Sequence, residues 1–337
     1  MYIKNKDKGV ILISVLLIVL VLSAIAMSIG SNFLLAFKRS VYQDLESNSL
    51  ELFHNIESIS IKRIEEKNRF GSQILTKEDP LFKDAFYYEH PSGQLFAQLS
   101  DASNCLNINS IVSLSNNNYI PNPKGIAAFK KLLILKEFDE RNIDSLLDQM
   151  IDWIDVDNQP RGNGLEDYFY TGPLHKPQQY TSKRLFYDLS ELKNLPAISY
   201  FDWKKLKENI CVVPFAGMSK VNINLLNEAD YEVLTAVLPS ISINDAKLII
   251  SNIPKDGYID IQQLMQDFPS IDFANSNASI FFTSNLFLLK SEIIKDELKV
   301  SAESVIYLEN NRTGYIISRS YNCLLYTSPS PRDATLS

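Results

Sequence analysis

The sequence predicts an α+β chain: a long N-terminal helix, one sheet, and a large helical block that interrupts the sheet. Three observations carry this. Residues 10–30 are a charge-free run of 21 residues that continues into an amphipathic stripe. Strand-like segments lie at 85–99 and again at 287–318. Between them the apolar residues recur mostly at helical spacing. Strands split in sequence can still be neighbours, whereas two independent domains more often keep each class contiguous.

The N-terminal run reads VILISVLLIVLVLSAIAMSIG. At ~1.5 Å per residue it spans about 31 Å, the thickness of a bilayer's hydrocarbon core. Residues 1–9, MYIKNKDKG, carry Lys4, Lys6 and Lys8 against Asp7. That excess keeps the leader cytoplasmic and puts the rest of the chain across the membrane. A secretory signal peptide is the competing reading, and Ala24-Ile25-Ala26 resembles its cleavage site. Yet Met27 and Ile29 extend the apolar run past it. Phe33, Phe37, Val41, Leu45, Leu52, Ile56 and Ile59 then continue one helical face, with a turn expected at Asn48-Ser49. This stem, residues 31–68, is expected to stop at Gly71.

After the stem, residues 85–88 and 94–99 read as strands around the turn Pro91-Ser92-Gly93. Residues 69–112 are thus assigned to strands. Residues 115–125 are a loop by composition. Residues 126–135 and 143–154 read as helices, with Asn142 as the second one's N-cap. An acidic loop and the aromatic-rich loop 168–180 follow. Asn222-Ile223-Asn224 repeats the earlier Asn107-Ile108-Asn109 and opens helices near 228–238, 244–252 and 260–268, ended by Pro239, Pro254 and Pro269. The helical block is placed at 113–284. Strands return over 285–322, with a hairpin turn at 310–314. Residues 323–337 fit nothing before them and read as a non-native tail.

Net charge is −7, and the leader contributes +2 of it, so a chain without the leader carries −9. That balance argues against binding nucleic acid through its phosphates. Three Cys are too few for a disulfide scaffold. Cys105 and Cys211 are either a pair, in an oxidising compartment, or two separate buried thiols.

The acidic loop carries the most chemistry. Counting Asp155 as position one puts Asp157 at three, Gln159 at five, Arg161 at seven, Asn163 at nine and Glu166 at twelve. Those are the ligand positions of an EF-hand loop. Oxygen donors of this kind suit Ca²⁺ and exclude a thiolate or imidazole zinc site. The loop departs from the EF-hand at Pro160, where Gly is required, at Gly162, where an apolar residue is usual, and in having no clear helix after Glu166. The other reading is a solvated acidic turn capping a helix.

Several motifs together resemble a known family. The junction Lys8-Gly9-Val10 resembles a prepilin peptidase site. Ser14 stands at the fifth mature position, where most pilins carry Glu. Asp152-Trp153-Ile154-Asp155-Val156-Asp157, Pro160, Gly164-Leu165-Glu166-Asp167 and Tyr170 resemble the signature D-W-x-D-x-D, a Pro, G-A-E-D and an aromatic. That signature is of minor pseudopilin K of type II secretion systems, the general secretion pathway protein K family, which also lacks the Glu. Residues 101–111, Ser190-Glu191-Leu192, Cys211-Val212-Val213-Pro214 and 221–224 follow in that family's order. The departures are Leu165 for Ala and Leu106 for Phe, both apolar exchanges. The resemblance runs from about residue 8 to 320.

It implies a type IV pilin-like fold: a transmembrane and stem helix packed on an antiparallel sheet, with a large inserted α-domain. It implies cleavage between Gly9 and Val10, and calcium bound by Asp155, Asp157, Glu166 and Asp167; Gln159, Arg161 and Asn163 rest on the loop count alone. The protein would be a non-catalytic inner-membrane protein, single-pass with its bulk in the periplasm. It would sit at the tip of the secretion pseudopilus with two other minor pseudopilins, above the major pseudopilin.

Two other classes are weaker. A membrane-anchored calcium-dependent hydrolase needs a catalytic constellation, and His54, His90 and His175 adjoin no Ser or Cys elbow. Glu166 and Asp167 could form a glycosidase pair, but adjacent carboxylates in a metal-type loop fit ligation better. A DNA-uptake component would use residues 221–268, which resemble a helix-hairpin-helix module. That stretch has no Gly at its hairpin, and seven acidic side chains against Lys247 and Lys255.

Overall fold

The charge-free run and the stripe behind it form one helix, α1 (Asp7–Phe70). The computed structural model describes residues 7–70, 74–217, 219–271, 273, 280–296, 298–310 and 312–322. Gly71 and the tail lie outside them. Residues 12–40 of α1 are exposed on every side. Among the described residues this is the one helix long and apolar enough to cross a membrane.

Further along, Leu45, Leu52, Phe53, Ile56 and Ile64 bury one face of α1 against the sheet. Such side chains contribute roughly 1.5–3 kcal/mol each when fully buried. Ile59 lies on the exposed side. The turn expected at Asn48-Ser49 does not form. The Ser49 hydroxyl donates to the Leu45 carbonyl at 2.6 Å, so its polar group is satisfied inside the helix. Glu57, also on the buried face, accepts from Ser304 at 2.6 Å and from Arg319 Nε and Nη2 at 2.8 Å each.

In chain order, α2 (Pro80–Lys83), β1 (Phe86–His90) and β2 (Gly93–Asp101) follow. Then come β3 (Leu106–Asn107), β4 (Val112–Ser115), β5 (Asn118–Pro121), α3 (Pro123–Leu135), α4 (Glu140–Ile154), α5 (Asp167–Tyr170) and α6 (Trp203–Leu206). Next are β6 (Ile210–Cys211), β7 (Val221–Asn222), α7 (Tyr231–Val237), α8 (Ile243–Ser251), α9 (Ile261–Asp267) and β8 (Ile280–Phe281). The chain returns as β9 (Leu286–Lys295), β10 (Leu298–Glu309) and β11 (Thr313–Asn322).

The main sheet has the order β1-β2-β9-β10-β11, antiparallel throughout. β2 pairs β9 from Gln94↔Ile294 to Asp101↔Phe287, so the chain leaves the sheet and re-enters it on the adjacent strand. Asp101 also accepts from Ser284 across this gap. The sheet is therefore one unit with an inserted helical domain, as expected. The insertion starts earlier than residue 113. Leu106, Ile108, Ile111 and Val112 are fully buried in the helical core, because a 3-10 turn (Ile108–Ile111) carries the chain into it.

Local details differ from the expectations. Asp139, not Asn142, caps α4, accepting from the amides of Arg141 and Asn142. The 115–125 loop is largely the β4–β5 hairpin and the start of α3, with Asn116 and Asn117 at φ 48° and 65° in the turn. The aromatic segment at 168–170 is part of a helical turn, α5.

The inserted domain is built twice from one plan. In the first unit, Asn109 Nδ2 donates to the carbonyls of Phe186 and Val213 at 2.9 Å each, and its Oδ1 accepts from Phe186 N at 2.9 Å. In the second, Asn224 Nδ2 donates to the carbonyls of Tyr258 and Phe282, and its Oδ1 accepts from Tyr258 N at 2.7 Å. Asn107 and Asn222 each accept from the amide two residues on. β3 runs parallel to β6, and β7 parallel to β8. A helix pair stands between them in each case, α3–α4 or α7–α8, followed by an Asp-capped turn at Asp188 or Asp260. The hairpin between α7 and α8 is closed by Lys131, whose Nζ donates to the carbonyls of Leu238, Pro239 and Ile241 at 3.1–3.5 Å.

Candidate metal site

The site is built where α4 ends. An apolar face of Ile143, Leu146, Leu147, Met150 and Ile154 fixes the helix in the core. This turns Asp148 and Asp152, one turn apart, toward the loop that follows. Asp155 caps the helix and is buried. The loop then runs out through Asp157 and returns with Glu166, 1% exposed, and nearby the rings of Trp153 and Tyr170 pack edge to face.

Asp155, Asp157 and Glu166 each bring a carboxylate oxygen within 4.8 Å of the others. Both Glu166 oxygens and Asp155 Oδ1 are shut off from solvent and have no hydrogen-bond partner among the described residues. Burying ionised carboxylates together without donors is strongly unfavourable. Their acidities show the conflict. Burial first, then Asp157, pushes Asp155 up to about 6. Burial first, then Asp152, Asp155 and Asp157, pushes Glu166 up to about 7. A hard cation with oxygen preference would relieve all three at once, so the donor set fits Ca²⁺.

The remaining predicted residues are placed differently. Asp167 does not face the cluster. Its Oδ1 accepts from Thr181 N at 2.8 Å and Thr181 Oγ1 at 2.7 Å, and its Oδ2 lies 3.2 Å from Lys183 Nζ. Burial raises this carboxyl, but the Thr181 bonds and the Lys183 ammonium outweigh it and hold it below the usual range. The helical turn α5 rotates Asp167 away from its neighbour Glu166. Gln159, Arg161 and Asn163 are exposed, and the loop engages them through backbone amides. Gln159 N donates to Asp157 Oδ1 at 2.8 Å, Arg161 N to Asp152 Oδ2 at 3.1 Å, and Asn163 N to Asp148 Oδ2 at 2.9 Å. The structure therefore brings together the carboxylates at loop positions one, three and twelve, and leaves the side chains at five, seven and nine in solvent.

The sequence motif includes Asp152 without giving it a role, and it does not reach Asp148. Asp152 is fully buried beside the cluster, and burial first pushes it up to about 7 against the Arg161 amide. The signal available in the sequence was the spacing of Asp148, Asp152 and Asp155 along the last turns of an otherwise apolar helix face.

Cys105 and Cys211 form a disulfide with a Cα–Cα distance of 5.7 Å, beside the β3–β6 bridge. The three His residues have ordinary roles. His54 meets Tyr321 Oη, His90 Nδ1 accepts from Ser92 N, and His175 packs on Tyr170 and Phe169.

A long N-terminal helix laid on an antiparallel sheet, with a helical domain inserted between adjacent strands, defines a pilin-like protein carrying an insertion. Comparison with known proteins points the same way. Residues 104–215 match the family described as type II secretion system (T2SS), protein K. The putative type II secretion system protein K of Escherichia coli K12 is 26% identical over 331 residues, 94% of this chain and 98% of its own length. The type II secretion system protein K of Pectobacterium carotovorum subsp. carotovorum is 27% identical, over 68% of this chain and 70% of its own. A chain of the GspK–GspI–GspJ complex from the enterotoxigenic Escherichia coli type 2 secretion system has the same fold. Its TM-score is 0.70 at 19% identity, covering 84% of this chain and 99% of that one. The resemblance to type II secretion system protein K seen in the sequence is borne out, and residues 104–215 carry that family's domain.

Proposed function

We propose that this chain is a minor pseudopilin of a type II secretion system, a structural part of the apparatus that exports proteins across the outer membrane. The observation that carries this reading is the helical domain inserted between β2 and β9 of a pilin-like sheet. Its partners are two other minor pseudopilins, a reading supported by the fold shared with a chain of a three-protein complex. The prepilin peptidase cuts between Gly9 and Val10, and the major pseudopilin forms the shaft below.

The physical logic is that of a cap. Pilins use the Glu at the fifth mature position to neutralise a neighbour's amino terminus, and Ser14 supplies no carboxylate there. The basic leader orients the chain with its bulk in the periplasm. The Cys105–Cys211 disulfide suits that oxidising compartment. Asp155, Asp157 and Glu166 hold calcium, which supplies the positive charge the buried carboxylates lack; the ion is structural. The reading assigns the chain no catalysis and no nucleic-acid contact, in keeping with its acidic surface.

The test is complementation of a strain lacking its own protein K. Expression of this chain restores secretion, and the mature protein begins at methylated Val10 only when the prepilin peptidase is present. An uncut leader, a cut near Ala26, or secretion left unrestored by a stably expressed chain would contradict the reading.

A further inference from the structure

The cluster at Asp155, Asp157 and Glu166 sits on a loop that side chains of α4 hold by its backbone. The geometry points to Asp148 as the residue that positions this loop, without itself joining the three clustered carboxylates. This inference rests on the calcium reading above. Asp148 Oδ2 accepts from Asn163 N at 2.9 Å. One turn on, Asp152 Oδ1 and Oδ2 accept from Arg161 N at 3.3 and 3.1 Å. Between the two, Gln149 Nε2 approaches the Asn163 carbonyl at 3.5 Å while its Oε1 accepts from Ala197 N.

The loop is shaped for this grip. A Cβ on Gly162, which sits at φ +26°, would lie 2.5 Å from Asp148 Oδ2. A Cβ on Gly164 would lie 1.9 Å from Asp152 Oδ2. Both glycines let the backbone reach the α4 carboxylates. Two residues beyond Gly164 the chain delivers Glu166 into the cluster. Asp148 stands outside the group of oxygens within 4.8 Å of one another. Its part is to hold the returning strand of the loop at the height where Glu166 meets Asp155. A supporting side chain of this kind sets affinity by fixing a ligand's position in advance.

The experiment is calcium titration of the full chain in detergent by calorimetry, with backbone amide exchange read in the calcium-free protein. Asp148→Ala weakens calcium binding roughly 10–100-fold with the number of ions unchanged, the usual cost of losing an outer supporting residue. Asp148→Asn restores most of the affinity, because its carboxamide oxygen still accepts the Asn163 amide. Wild-type affinity in Asp148→Ala overturns the inference. Loss of a bound ion also overturns it, by making Asp148 a ligand. So does an Asn variant as weak as the Ala variant, by making the charge the cause. If Asp148→Ala does not fold, Gly162→Ala carries the same titration, since its Cβ displaces the Asp148 carboxylate. A wild-type chain that takes up no calcium defeats the metal reading alone. The clamp is then judged on exchange: slow at Asn163 in wild type and fast in Asp148→Ala supports it, and fast in wild type overturns it.

Discussion

The two units of the inserted domain share a frame and differ in two places. Each frame hangs on a buried Asn, Asn109 or Asn224, that ties three backbone groups from two distant segments. The first difference lies where the bridges close. In the first unit Cys105, two residues before Asn107, is bonded to Cys211, which pairs with Asn107. In the second, Lys220 stands two residues before Asn222, and Phe281 pairs with it. The Lys220 ammonium sits 5.0 Å from the centre of the Phe281 ring. One plan is closed by a covalent bond and the other by a cation over an aromatic face. The second difference is the link from the helix pair to the aromatic residue whose backbone the Asn ties, Tyr258 or Phe186. It is residues 252–257 in the second unit and residues 155–185 in the first, where it carries the acidic cluster. The frame is thus a packing device used twice, and the chemistry lives in an extension of one copy.

The largest effect expected from breaking this comparison is at the covalent closure. Replacing Cys105 and Cys211 by Ser opens a bond spanning 106 residues and costs about 2–5 kcal/mol in denaturant unfolding. A cost below about 1 kcal/mol would show that the parallel bridge alone holds the first unit. Next come the paired amides. Asn109→Ala and Asn224→Ala each leave buried backbone groups unpaired and cost roughly 2–3 kcal/mol. Similar values in the two units support a shared frame, and a tolerant site in either breaks it.

A different kind of effect separates the units by pH. Asp152, Asp155 and Glu166 are raised to about 7, 6 and 7 when folded, chiefly by burial. The calcium-free folded chain therefore holds protons that the unfolded chain has released between about pH 4 and 7. Its stability falls as pH rises through that window and levels off above it. Saturating calcium flattens the fall, because the ion favours the ionised carboxylates. Thermal melts at pH 5 and pH 8, with calcium and with chelator, read this directly, and a chelated protein that is more stable at pH 8 would contradict it. Smallest is Lys220→Ala, about 0.5–1 kcal/mol for a cation–π contact.

Much of this was legible because it follows from periodicity. The spacing of Leu45, Leu52 and Ile56 marks the buried face of α1, and the strands split at residues 101 and 286 find each other because a sheet edge requires a partner. Ile59 misled because one apolar residue on the outer side of a helix costs little. The repeat showed only as Asn-Ile-Asn. Phe186-Tyr187-Asp188-Leu189-Ser190-Glu191-Leu192 matches Tyr258-Ile259-Asp260-Ile261-Gln262-Gln263-Leu264 in placement more than in residue identity, so pattern alone hid it. At the site, ligand counting found Asp155, Asp157 and Glu166 because carboxylates are visible in a sequence. It missed what Asp148 and Asp152 do, because their partners are backbone amides that no residue name reveals. Asp167 came from the Gly164-Leu165-Glu166-Asp167 resemblance, and a single helical turn points it away from the cluster, onto Thr181 and Lys183.

The most direct measurement is amide exchange on the full chain in detergent, with and without calcium, comparing residues 155–167 with residues 252–257. The account predicts marked protection of 155–167 on adding calcium, no change at 252–257, and loss of the effect in Glu166→Ala. Protection spread equally over both units, or calcium binding that survives Glu166→Ala undiminished, would contradict the claim that one copy of the frame alone carries the site.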